Sequence, residues 1–254
     1  MLATDFLRAA ERLPFGRLKD IADDAGLLIL APHPDDESLG CGGLIAEASL
    51  HRVATQVVMV SDGAGSHPNS RHWPPARLRA LREAETLAAL EVLGLPGESA
   101  SFLRLPDTRV PAEGPAFEEA VGSILAGPAR AVPVGAVLTS WGHDPHGDHQ
   151  ATHAIAAAVA RRLGARLYSY VVWGWAYLHD VPGFVLGPAP PVPAPPRGLR
   201  LDIACHLDAK RRAVAAHLSQ TTALIDDDPQ GFRLRPEALA FMLRPFEVYL
   251  EETP

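Results

Sequence analysis

The chain has 254 residues, 47% hydrophobic and 21% charged, enough for one large α/β domain or two small ones with a sizeable core. Its formal net charge of −7 withholds the general attraction that nucleic acid or an anionic membrane surface exerts, so neither is expected as a partner. Only two cysteines are present, Cys41 and Cys205, which excludes a disulfide framework and a CxxC pair and fits a reducing cytoplasm.

The first residues, MLATDFLRAAERLP, form a short amphipathic stretch without the apolar core and cleavage site of a signal peptide. Leu27–Ala31 is an apolar run that reads as a buried strand, followed by a helix over Leu39–Leu50. Between them stand His33, Asp35, Asp36 and Glu37. Neighbouring carboxylates repel, and burying them is costly without a partner, so this is either a solvated turn or the place of a cation. The run GCGG at 40–43 lacks GxGxxG spacing and follows an acidic cluster hostile to pyrophosphate, so no nucleotide site is expected. Gln56–Val60 is a strand. Arg77–Leu93 is the clearest helix, with Leu78, Leu81, Ala84, Ala88 and Val92 on one face and stop signals at Gly94 and Pro96. A strand over Ser101–Leu105, a helix over Ala116–Leu125 and a strand over Val134–Thr139 follow. The segment SWGHDPHGDHQATH, Ser140 to His153, leads into a helix over His149–Leu163 ended by Gly164, and Arg166–Val172 is a strand.

The stretch 181–198, VPGFVLGPAPPVPAPPRG, holds seven prolines and is expected to be an extended surface loop flanking the site. The remainder is too short for a core of its own. It is expected to return to the same domain as a strand over Leu201–Ala204, helices over Cys205–His217 and Pro236–Met242, and a strand over Phe246–Leu250. Strand–helix alternation predicts an α/β fold with a mostly parallel sheet and helices on both faces, formed by one domain over residues 1–254. No run of about 18 apolar residues is present to span a membrane.

Ligands of parallel sheets bind at the carboxyl ends of strands. Leu27–Ala31 and Val134–Thr139 both empty into loops rich in His and Asp. If the strands are neighbours, His33, Asp36 and one histidine of the second cluster supply three N/O ligands and leave a position open, the pattern of catalytic zinc.

APHPDDE at 31–37 and PHGDH at 145–149 resemble the paired signatures of the PIG-L/LmbE-like zinc-dependent N-deacetylases. SDG at 61–63, LREAETLAALEVLG at 81–94 and LPD at 105–107 extend the resemblance, which spans roughly residues 27–175. It implies a Rossmann-like three-layer fold and hydrolysis of the acetamide of an N-acetylglucosamine-type amino sugar or its conjugate, a small-molecule substrate. It implies His33, Asp36 and His149 as ligands of one Zn²⁺, for which Fe²⁺ or Co²⁺ could substitute. It further implies Asp35 as general base, His146 as the group that stabilises the oxyanion, Asp148 as the acid that tunes His146, and Arg82 and Asp107 as sugar contacts.

These residues also have plainer readings. His33 could end a strand, Asp35 and Asp36 could form a turn, Asp148 could cap the following helix, and Arg82 could be a solvated helix charge. Glu37 and His153 are expected beside the ligands rather than among them, and His143 and Asp144 as loop residues. Trp73, Trp141, Trp173 and Trp175 are expected in packing, and Asp226–Asp228 as a solvated turn. Hydrolysis of another amide, in a secondary metabolite or thiol-conjugate precursor, and a non-catalytic sugar- or metal-binding protein are the alternatives. A mere metal binder has no need of Asp35 and His146.

Overall fold

The computed structural model describes residues 1–179, 181 and 186–254. In chain order they form α1 (Ala3–Ala10), β1 (Phe15–Gly16), α2 (Leu18–Ala22), β2 (Gly26–Ala31), α3 (Asp36–Leu50), β3 (Thr55–Ser61), α4 (Pro75–Val92) and β4 (Ala100–Leu105). Then come α5 (Gly114–Ala126), β5 (Val134–Ser140), α6 (Gly147–Leu163), β6 (Arg166–Tyr170), β7 (Gly198–Asp202), α7 (Leu207–Ala216), α8 (Leu218–Thr221), α9 (Pro236–Met242) and β8 (Phe246–Glu252).

Eight strands make one sheet in the order β1-β7-β8-β6-β5-β2-β3-β4. It is mostly parallel; β8 alone runs antiparallel to its neighbours β6 and β7. Strand β2 is buried along its whole length, which is why it reads as an unbroken apolar run. Its Leu28 and Leu30 pack with Val58, Val60 and the inner faces of α5 and α6. Its Leu27, Ile29 and Ala31 join the opposite core with residues of α1, α3, α4, α7 and α9. Helices therefore cover both faces, as the alternation predicts. None of the described helices is long and apolar enough to cross a membrane.

Several boundaries differ from expectation. The two-residue β1 and five-residue α2 are too short to show a period. Strand β7 begins at Gly198 rather than Leu201. The helix expected over Cys205–His217 starts with a 3-10 turn, Ala204–His206, and stops at Ala216, because His217 leaves helical dihedrals. In α4 the buried positions are Leu78, Arg82, Glu85, Thr86, Ala89 and Leu90, so of the face predicted above only Leu78 is fully inside. Arg82 and Glu85 occupy the inner face because each finds distant partners, while Thr86 Oγ1 donates back to Arg82 O at 3.0 Å. Arg82 donates from Nη1 to Gly63 O at 2.9 Å, and Glu85 accepts from Ser219 N at 2.7 Å and Ser219 Oγ at 2.6 Å.

The glycine run of α3 serves close packing. A Cβ on Gly40 would lie 2.1 Å from Cδ2 of Tyr170, a fully buried side chain whose hydroxyl donates to Leu30 O at 2.9 Å. Gly40→Ala is therefore expected to cost about 1–3 kcal/mol, the usual cost of overpacking. A urea midpoint unchanged from that of the native chain would refute this reading.

Candidate active site

Strand β2 pairs with β3 on one side and β5 on the other, with Ile29 opposite Leu138. The chain runs outward through β3 and β4 on one side and through β5 and β6 on the other. The carboxyl ends of β2 and β5 thus open side by side at a topological switch point, the place where such sheets hold ligands. The loops that follow them bring the two His/Asp clusters together.

The meeting point is dense. Asp36 Oδ2 lies 3.1 Å from His33 Nδ1 and 3.2 Å from His149 Nε2. The rings of His33, His146 and His149 are 4.7–5.3 Å apart, centroid to centroid. On the far side of His33, Nε2 lies 3.1 Å from Asp148 Oδ2 and 3.2 Å from Asp107 Oδ1. His149 Nδ1 stands 3.3 Å from Asp144 Oδ1. Burial opposes charging of His149, but Asp36 and Asp144 outweigh it and push the imidazole up to about 9. Burial likewise opposes a charged His33, yet Asp107, Asp148 and Asp36 hold it well above the usual histidine value.

This constellation fits a divalent cation. Both nitrogens of His149 are buried and lack a hydrogen bond of good geometry, although a carboxylate oxygen faces each. His33, Asp36 and His149 offer imidazole and carboxylate donors, the set preferred by zinc and its neighbours. A carboxylate behind each imidazole is the common way to orient such ligands. His33, His146 and His149 also present nitrogens within 4.8 Å of one another.

Asp35 sits beside this set with a positive φ of 138°, a conformation that favours glycine and stores strain. It is held on two sides. Its N–H donates to Glu37 Oε2 at 3.0 Å, and Arg82 Nη2 lies 3.4 Å from Asp35 Oδ2. Burial raises the Asp35 carboxyl to about 7, against the pull of the Arg82 guanidinium. Arg82 is buried rather than solvated, lines the cleft, and donates from Nη2 to Pro34 O at 2.5 Å. Glu37 is also fully buried; it pairs with His217 Nε2 at 2.9 Å and braces the turn by accepting from Asp35 N.

Asp148 departs from expectation. Its carboxylate does not reach His146; it accepts from Thr108 N at 2.7 Å and Val110 N at 3.1 Å and faces His33. The contact with His146 is reversed. His146 is the N-cap of α6, and its Nδ1 accepts from the Asp148 N–H at 3.2 Å. Burial and the charges of His33 and His149 hold His146 below the usual histidine value, not above it. Asp148 thus faces His33 rather than His146. Asp148→Asn is expected to weaken metal affinity about 10–100-fold, as loss of a carboxylate behind a ligand histidine does, while His146 keeps its cap. Competition with a fluorescent chelator measures this; native affinity in the variant would remove Asp148 from that role.

The cleft encloses about 620 Å³ including its open mouth. His33, Asp35, Asp36, Asp107 and His146 form its polar floor, and Trp173 and Phe232 stand edge to face at 5.6 Å on its rim. Asp107 also holds Gly65 N at 2.8 Å. The Pro-rich stretch does not border the cleft in its described part; residues 182–185 lie outside the described residues. Pro191 instead bridges to Leu2, and Ala3 N donates to Pro190 O at 2.9 Å, which spends this segment on the amino terminus. His153 pairs with Glu252 at 2.7 Å. Asp227 and Asp228 are not a solvated turn, since they accept from Asn69, Ser70, Arg71 and His72 and fasten the loop before α4. Sequence reasoning missed Asp144, His217, Gln220 and Phe232. Three of these lie beyond the second motif on segments whose partners are far away in sequence, and no periodicity marks them.

A family model described as PIG-L, GlcNAc-PI de-N-acetylase, matches residues 28–160. No curated protein matches the chain. Among solved structures, the N,N′-diacetylchitobiose deacetylase from Pyrococcus horikoshii superposes with a TM-score of 0.63 at 20% identity, covering 98% of this chain and 90% of that one. The deacetylase of the A40926 pseudoaglycone gives 0.59 at 21% identity, with 90% and 97% covered. The 4-carboxy-2-hydroxymuconate hydratase from Pseudomonas putida KT2440 gives 0.51 at 23% identity, with 75% and 78% covered. At these identities the likeness is one of fold. The family match covers more than half of the sequence, both signature segments included, and the chain belongs to the PIG-L family.

Proposed function

We propose that the chain is a metal-dependent N-deacetylase that hydrolyses the acetamide of an N-acetylglucosamine-type amino sugar or its conjugate. The observation that carries this reading is the convergence of His33, Asp35, Asp36 and His146 on one cleft at the switch point of the sheet, with His149 buried against Asp36 and His146. His33, Asp36 and His149 would hold one Zn²⁺, with Fe²⁺ or Co²⁺ able to occupy the same donors. When bound there, the cation polarises the amide carbonyl and makes a neighbouring water more acidic.

The chain's own groups do the rest. Asp35, left out of the ligand set, takes the proton of the attacking water and returns it to the departing amine. His146 accepts from Asp148 N–H at Nδ1, so in its neutral form it carries a proton on Nε2 and donates a hydrogen bond from that N–H to the developing oxyanion. A protonated His146 is not needed for this; a neutral imidazole is an adequate donor where burial disfavours charge. Arg82 and Asp107, which line the cleft, would contact the sugar. The two cysteines are free, and a cytoplasmic setting is part of the proposal.

Acetate release from a panel of N-acetylated amino sugars and their conjugates tests the reading. Turnover of other amides but of no amino sugar would favour the secondary-metabolite alternative. The hydratase of similar fold makes hydration of an unsaturated acid the control reaction.

A further inference from the structure

We propose that Glu47, Cys205 and His206 form a second cation site, separate from the catalytic cluster, which takes one borderline divalent ion such as Zn²⁺. Glu47 lies in the last turns of α3, and Cys205 and His206 lie in the 3-10 turn between β7 and α7. One carboxylate oxygen, the Cys205 Sγ and one imidazole nitrogen all stand within 4.8 Å of one another. His206 Nε2 is 2.5 Å from Glu47 Oε2, and His51 Nε2 is 3.2 Å from Glu47 Oε1. The site is half-sheltered. The His206 and Glu47 side chains are 12% and 24% exposed, while Cys205, a free thiol, opens to solvent.

The approach is built into the backbone. A Cβ on Gly43 would lie 2.4 Å from Ile203 Cγ2, so α3 rests directly on the residue that starts the turn. Glu47, four positions later, sits one helical turn further along the same face, level with residues 205 and 206. The turn is pinned in its own right, because Ala204 N donates to Asp202 Oδ1 at 2.9 Å and His206 N to Ile203 O at 2.9 Å.

The donor set selects the ion. One thiolate, one imidazole and one carboxylate suit Zn²⁺ or Co²⁺ and do not suit Mg²⁺ or Ca²⁺, which take oxygen ligands. Three protein ligands leave the solvent side for water. Binding would displace the thiol proton and clamp α3 to the start of α7. An ordinary His–Glu ion pair explains the 2.5 Å contact but makes no use of Cys205.

Sulfur makes the test specific. The catalytic cluster contains no cysteine, and Cys41 is buried in the core, so a thiolate-to-cobalt charge-transfer band can arise only at Cys205 in the folded chain. Metal-free protein is titrated with Co²⁺ under reducing conditions. The native chain should show the band, and Cys205→Ser should lose it while retaining its circular dichroism. Loss of an outer partner of a metal ligand costs about 10–100-fold in affinity, so Glu47→Gln and His206→Ala should each weaken the band's apparent affinity by no less. With Zn²⁺, Cys205→Ser should bind one ion fewer than the native chain. Absence of the band in the native chain at saturating Co²⁺ would overturn the proposal. So would a band of undiminished affinity in both the Glu47 and His206 variants, which would mark adventitious binding to an exposed thiol. Failure of the catalytic cluster to bind metal would lower the total stoichiometry but leave the band and its variants unchanged, so the two readings fail separately.

Discussion

Asp35→Asn is expected to lower kcat by about 10²–10⁴-fold while the purified protein keeps its native metal content, because a positioned general base contributes that much. The carboxamide has nearly the same shape as the carboxylate but cannot take a proton from water. Asparagine is nearly isosteric with the aspartate already held at φ 138°, so the backbone conformation at this position need not collapse. The surroundings support the same outcome. Glu37 still accepts the N–H of residue 35, His217 still braces Glu37, and Arg82 still spans Gly63 O and Pro34 O. The ligand set around Asp36 is thus left in place while one proton-transfer step is removed. Single-turnover acetate release and metal analysis on the same preparation decide the matter. A variant that loses its ion and regains activity in excess Zn²⁺ would make Asp35 a ligand and reassign the base.

The parts of this site visible in the sequence are those whose geometry is local. His33 and Asp36 are bonded within one turn, with His33 N donating to Asp36 Oδ2 at 2.9 Å, so spacing alone brings them together. The strands that aim the two loops are continuous apolar runs because both faces of β2 and most of β5 are covered. Their adjacency is not legible in the sequence, because strand order is a long-range property; the pairing of β2 with β5 supplies it. The misreadings have one physical cause. Arg82, Glu85 and His217 are polar residues placed inside, each hydrogen-bonded to a group 19 to 180 positions away. Periodicity arguments assign such residues to the surface, so they point to the wrong face of α4 and give no sign of the bend at His217. Asp148 shows the same limit at short range. Its carboxylate turns to backbone donors near residue 109, leaving only its N–H for the neighbouring His146.

Glu247→Gln is expected to destabilise the fold by about 3–5 kcal/mol, the cost of breaking a buried ion pair from one side. Lys210 and Glu247 have side chains only 1% and 2% exposed and meet at 2.7 Å. Glu247 is saturated. Oε1 accepts from Gly43 N at 2.7 Å and from Lys210 Nζ, and Oε2 accepts from Leu44 N at 2.8 Å and from Tyr249 OH at 2.7 Å. One carboxylate thus joins α3, α7 and β8. Glutamine keeps one acceptor oxygen but offers an amide where two donors already point, and it leaves the ammonium of Lys210 without a counter-charge in the core. Replacing both partners should cost less than this single change, since Lys210→Met removes the stranded charge and keeps the volume of the stem. For a chain of this length each kcal/mol corresponds to about 2–4 °C in Tm, so the single variant should melt clearly below the native protein and the double variant between them. Urea unfolding of all four proteins, with equal slopes confirming a common denatured state, yields the coupling energy. A Glu247→Gln loss below about 1 kcal/mol, the range of exposed pairs, would mean that water reaches the pair and that α3 and α7 are held by apolar contacts alone.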